Sequence, residues 1–209
     1  MRLFDISSGN IKPLPQYGGR SDGNMLLAFA PFIAFAAIDR LVGPMEGMFA
    51  GFAVSAALLI RDWSRGRAAK VLEIGTAGLF GALGCYALLA DPAWSLMGVR
   101  LVVDSGLLLI VLVSIAIRQP FTLQYARERV PVDVQESGEF VRTNYIITAV
   151  WALAFAIMVA ADLVLIYMSD LPPRFGIIAT VLALLGAFKF TAGYPEHRRA
   201  MAQPAARLR

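Results

Sequence analysis

A chain of 209 residues that is 58% apolar and only 16% charged is too oily for a soluble globular domain, which is nearer half apolar and about a quarter charged. One cysteine, Cys85, excludes an internal disulfide and a thiolate metal cluster, and one histidine, His197, excludes two-histidine haem ligation within the chain. The net charge of +4 is read first as topology rather than as an affinity for nucleic acid, because lysine and arginine orient membrane proteins. The apolar residues fall in long runs divided by short charged islands. That pattern predicts an all-α, polytopic membrane helical bundle, since a barrel would show short alternating segments.

Residues 1–24, with Pro13, Pro15, Gly18 and Gly19, are expected to form a loose cytoplasmic arm that touches the membrane through Leu3 and Phe4. The run Met25–Ala37 has the look of a signal-peptide core, and Ala34-Phe35-Ala36 that of a cleavage site. The long preceding region with Asp5 and Asp22 argues instead for an uncleaved first span. Six spans are predicted at about 25–42, 44–61, 70–90, 96–118, 143–168 and 173–193. They form one transmembrane domain over 25–193, followed by a basic tail at 194–209. The first two are short, with Asp39, Arg40 and Glu46 at their shared tip, and a re-entrant hairpin is the alternative. The spans pair into three hairpins whose tips read Asp39-Arg40…Pro44, Asp91-Pro92 and Asp170…Pro172-Pro173, a weak repeat of the kind seen in transporters.

Sixteen of the 19 lysines and arginines fall on the side of the N-terminus, and only Arg40, Arg100 and Arg174 on the other. The positive-inside rule then places both termini in the cytoplasm and asks for an even number of spans. The central loop, RQPFTLQYARERVPVDVQESGEFVR, turns charged and aromatic between oily spans. Pro120 suits the first turn of a short helix, and Pro131 cannot continue it. A helix lying at the bilayer interface is expected here, a solvated spacer being the alternative. Arg118, Pro120, Phe121, Tyr125 and Arg127 are the candidate partner-facing residues.

Gly43, Gly47, Gly51 and Ser55 recur every four residues on the second span, and Gly75, Gly78, Gly81, Ala82 and Cys85 make a second small stripe on the third. Such stripes let helix backbones approach closely, within the bundle or across a dimer. Asp104 and Asp162 lie at a similar depth, each about two turns from the outer end of its span. Arg100 sits one turn above Asp104 and can pair with it. Asn144, Thr148, Trp151, Phe155 and Asp162 share one helix face, a candidate cavity lining. A buried carboxylate must pair or meet water. These residues therefore point either to a site for a cation, a proton or a polar headgroup, or to a structural lock in which Arg100 neutralises Asp104 and Asp162 caps a neighbouring helix or meets Arg174. Glu73, beside Lys70, is expected to snorkel to the cytoplasm. No Gly-rich phosphate loop, Ser–His–Asp set or HExxH sequence is present, so no enzymatic activity, metal or cofactor is expected.

The stretches AGLFGALGCYALLADPAW, RQPFTLQYARERVP, WALAFAIMVAADLVLIY and FGIIATVLALLGAFKF, in this order over roughly residues 70–195, resemble the bacterial intracellular septation protein A family of inner-membrane proteins. The form of PFTLQYARE departs from that of the founding members and places the chain on a distant branch. The resemblance implies a non-enzymatic scaffold of the bacterial cytoplasmic membrane, linked to septation, envelope integrity and cell-wall synthesis, and it supplies no catalytic residues. A small transporter or channel using the intramembrane carboxylates is the alternative, and an accessory subunit of a larger complex a further one. The lipid bilayer is the expected partner, with other membrane proteins or a second copy beside it, and no nucleic acid.

Overall fold

A computed structural model describes residues 27–90, 95–128, 130–168 and 170–206. The expected N-terminal arm, the Asp91-Pro92 tip and the end of the basic tail lie outside the described residues. Within them all regular structure is helical: α1 (Ala30–Leu41), α2 (Pro44–Ser64), α3 (Val71–Ala90), α4 (Leu96–Ala116), α5 (Phe121–Arg127), α6 (Val132–Gln135), α7 (Gly138–Tyr167) and α8 (Arg174–Ala206). Among the described residues, α2, α3, α4, α7 and α8 each contain a stretch long and apolar enough to cross a bilayer. This is the build of a multi-pass helical membrane protein. The first expected span is described only as α1, whose 12 residues rise about 18 Å against a hydrocarbon core of about 30 Å.

Local chemistry sets the helix ends. Pro44 occupies the first turn of α2, where its missing N–H costs little, and Val42 and Gly43 close the preceding turn by donating to Ile38 O. Ser95 caps α4 by accepting from Gly98 N at 3.0 Å. Ser137 caps α7 by accepting from Phe140 N at 3.3 Å, with Glu139 in the favourable first turn. That cap starts α7 at Gly138 rather than near 143. The last helix, α8, continues into the expected tail, through Ala200, Met201, Ala202 and Gln203, all good helix formers. Arg118 turns the chain from α4 into α5 with a φ of 59°, a left-handed position after a helix that glycine or asparagine usually fills.

The long helices pack on their neighbours in sequence, and α7 also packs on α4 and α5. The main core centres on Trp151. Phe29 stacks on it at 4.8 Å between ring centroids, Phe155 lies at 5.6 Å, and Phe121 and Phe188 meet it edge-on. A smaller core joins Phe35, Met48, Phe80, Val99 and Val103 across α1 to α4. Leu109, Leu112, Leu153 and Leu182 face outward, as lipid-facing positions do.

Gly43 precedes α2 as its N-cap and faces only Glu46, whereas Gly47, Gly51 and Ser55 of the stripe pack inward. A Cβ on Gly47 would lie 3.0 Å from Asp39 N and Phe35 O of α1, and one on Gly51 would lie 2.8 Å from the Phe80 ring. Ser55 is fully buried and donates to Gly51 O at 2.8 Å. On α3 a Cβ on Gly75 would press on Ile110, whereas one on Gly78 meets nothing within 4 Å, and Cys85 is exposed. Gly47→Ala is therefore expected to lower stability by about 1–3 kcal/mol, because rigid backbone must give way. Gly78→Ala is expected to be close to neutral. Thermal unfolding of both variants in detergent makes the comparison.

Candidate functional site

The expected intramembrane face separates into two polar clusters, one toward each end of α7. At one end Arg100 of α4 reaches across to α7, with Nη2 3.3 Å from Asp162 Oδ1. The same nitrogen lies 3.4 Å from Thr180 Oγ1 of α8. The Asp162 side chain has no exposure, and that of Arg100 keeps 22%. Neither Asp162 oxygen accepts a hydrogen bond from a protein donor. Asp104 lies within electrostatic reach of both Asp162 and Arg100. Asp39 of α1 also lies within the field of Arg100, and its Oδ1 is buried without a partner. Arg100 thus ties α4 to α7 directly. The Asp162–Arg174 pair, one of the alternatives for a structural lock, does not form, and Arg174 instead lies over the Phe175 ring at 5.7 Å. Two carboxylates facing one guanidinium leave one negative charge unmatched. In a weakly solvated interior that charge calls for a proton or a cation.

Asn144 and Thr148 belong to the other end. Thr122 of α5 donates to Asn144 O at 2.9 Å, and its hydroxyl lies 2.6 Å from that of Thr148. Asn144 Nδ2 donates to Phe140 O at 2.9 Å. About 21 Å of helix separates Thr148 from Asp162, and the buried Trp151, Phe155 and Met158 fill it. The α7 face is packed core rather than a continuous cavity lining, because aromatic side chains from α5, α8 and Phe29 close over its middle.

The central-loop helix forms as α5, with Pro120 at its start, but it turns inward. Phe121, Leu123 and Tyr125 have 0%, 2% and 4% exposure, and Pro120 is buried as well. The helix seals the end of the bundle instead of lying on the bilayer surface. Phe121 N donates to Ser114 Oγ at 3.2 Å, and Gln124 Oε1 accepts from Val71 N at 2.9 Å. Of the candidate partner-facing residues, Arg118 and Arg127 remain exposed.

Beneath α5 lies a network that the sequence reading missed. Lys70 Nζ pairs with Asp62 Oδ2 at 2.5 Å, Glu128 Oε1 at 3.0 Å and Glu73 Oε1 at 3.5 Å. It also stands over the Tyr125 ring at 5.0 Å. Arg61 holds the other Asp62 oxygen at 2.7 Å, and Tyr125 Oη donates to Glu73 Oε1 at 3.2 Å. Glu73 does not snorkel outward. It has 4% exposure, held inside by Lys70 and Tyr125. Asp62 is the one acid in the basic island RDWSRGRAAK, and that isolation is the signal which could have marked it.

Burial alone would lower the Lys70 pKa. Hydrogen bonds to Asp62 and Glu128, with the charges of Glu73 and Glu128, outweigh it and hold the ammonium above its ordinary value. Burial pushes the Tyr125 phenol far up, and the charge and hydrogen bond of Glu73 add to this. Tyr125→Phe should cost about 1–2 kcal/mol through the lost hydrogen bond. It should also flatten part of the fall in stability above about pH 10, as read by melting at stepped pH.

No family model matches the chain, and neither a curated protein nor a solved structure matches it significantly.

Proposed function

We propose that the chain is a small membrane transporter or channel for a proton or small cation, with Arg100, Asp104 and Asp162 as its charge site. The observation that supports this is Asp162, fully buried and ion-paired with Arg100 while neither of its oxygens accepts a hydrogen bond. It shares a single guanidinium with the neighbouring Asp104. A purely structural pair would be matched one to one, and intramembrane acids of this kind mark ion and proton paths. Trp151 and the rings around it act as the apolar barrier between this site and the α5 end. Such a barrier must open or be bypassed for passage.

The distribution of lysine and arginine supports a membrane protein with six spans and both termini inside the cytoplasm, and the septation-family resemblance points to the bacterial cytoplasmic membrane. The septation-family resemblance supports a second reading, a scaffold of the division and envelope machinery. Its contact surface would be the loop that presents Arg118 and Arg127, both exposed.

The test is reconstitution into liposomes that hold a pH-sensitive dye and an imposed proton, sodium or potassium gradient. The wild-type chain is expected to dissipate one of these gradients faster than empty liposomes, and Asp104→Asn to lose at least about tenfold of that rate. Equal rates for wild type, variant and empty liposomes would leave the scaffold reading in its place.

A further inference from the structure

The α5 end also carries a cavity of about 360 Å³, lined by Arg67, Lys70, Gln119, Gln124, Arg127 and Glu128. Its walls are set by hydrogen bonds. Gln124 bridges Val71 N and Gln119 O, both at 2.9 Å, and Gln135 Nε2 holds Arg127 O at 2.9 Å. The charges divide unevenly. Lys70 is consumed by Asp62, Glu73 and Glu128, and Glu128 is in turn held by Lys70. Arg67 and Arg127 have no acidic partner among the described residues, and both are exposed. Two guanidiniums thus face one cavity with their charge uncommitted.

The depth of the cavity fits a bilayer headgroup. Its lining comes from the connections just beyond the spans, after Ser64, before Val71 and after Ala116. Trp63, beside it in sequence, is 83% exposed, and tryptophan is the residue that settles at the membrane–water boundary. Guanidiniums bind phosphate oxygens through paired N–H donors, and basic pockets between spans take anionic headgroups.

We propose that this cavity binds a phosphate group, with Arg67 and Arg127 as its charged contacts. The phosphate is carried either by an anionic lipid of the adjoining leaflet or by a free phosphate. It is a second site, separate from the Arg100 cluster and independent of what that cluster transports.

Native mass spectrometry of the full chain released from mixed micelles of phosphatidylglycerol and phosphatidylethanolamine tests the lipid source. Melting in detergent with and without inorganic phosphate tests the free one. The parent is expected to keep phosphatidylglycerol in preference to phosphatidylethanolamine. Arg67→Gln and Arg127→Gln should each lose most of that preference, whereas Arg142→Gln, an exposed control on α7, should keep it. A melting rise with phosphate that the same two variants abolish, without lipid preference, assigns the site to free phosphate. Neither arginine forms an ion pair among the described residues, so both variants should fold, and Arg67→Lys should keep part of the binding. Lipid retention and phosphate response unchanged in both glutamine variants would overturn the proposal.

Discussion

Replacing Arg100 with glutamine is expected to lower the unfolding free energy by about 3–5 kcal/mol, the usual cost of leaving a buried charge without its partner. The variant leaves Asp104 and Asp162 facing each other with no cation between them. It also takes from Asp39 a positive charge whose field it feels. Asp162→Asn behaves differently. Arg100 keeps Asp104 one turn away on its own helix, and the surplus carboxylate is gone, so the cost should stay below about 1 kcal/mol. The double variant separates these effects. If Asp162 and Arg100 act on each other, Arg100→Gln should cost less in the Asp162→Asn background, by about 1–3 kcal/mol. Unfolding in detergent or mixed micelles, followed by circular dichroism, supplies all four corners of the cycle. Additive losses would place the main partner of Arg100 elsewhere.

Lys70→Met is the second large effect, again about 3–5 kcal/mol. The ammonium has a side-chain exposure of 5% and faces three carboxylates. Arg61 remains for Asp62, but Glu73 loses its cation and Oε2, already buried without a partner, gains none. Glu128→Gln should cost far less, under about 1 kcal/mol, because its side chain is 25% exposed and water replaces the pair. The pH dependence has a definite sign. Lys70 and Tyr125 both have raised pKa values in the folded chain. Their contribution is complete at neutral pH and begins to fall above about pH 10, where the unfolded chain first releases these protons. It shrinks further as the folded groups titrate. Melting recorded from neutral to alkaline pH should show a plateau and then a decline, and Lys70→Met should show a lower plateau with a shallower decline.

The helices were readable from the amino-acid sequence where composition alone decides. Long apolar runs placed α2, α3 and α4 to within a few residues, whereas α7 starts at Gly138 rather than near 143 and α8 runs on to Ala206 rather than to about 193, because apolar runs do not register the cap at Ser137 or the helix formers of the tail. The inward turn of α5 was not readable. Phe121, Thr122 and Tyr125 carry the polar and aromatic mixture of an interfacial helix, and only the partners at Asn144, Thr148 and Glu73, supplied by α7 and α3, draw them inside. The same limit applies to Arg100. Helical spacing offers Asp104 as its neighbour, while the ion pair measured between side chains runs to Asp162, on another helix. The α7 face shows how periodicity can mislead. Asn144, Thr148, Trp151 and Asp162 do share one stripe, yet α5 covers its start, aromatic rings its middle and α4 its end. One face in sequence became two polar clusters divided by apolar packing. The small-residue stripe on α2 is expected to pack within the bundle rather than across a dimer, because six helices need several close contacts, and Gly47 does approach α1 and Gly51 the Phe80 ring.

The most direct test of the charge site is to measure melting and ion flux on one preparation of Asp162→Asn, beside the wild-type chain. A working cation or proton site gives melting within a few degrees of the wild type together with flux reduced to the level of empty liposomes. A structural lock gives the opposite pattern: clearly lower melting in the variant, and no flux above empty liposomes even in the wild type.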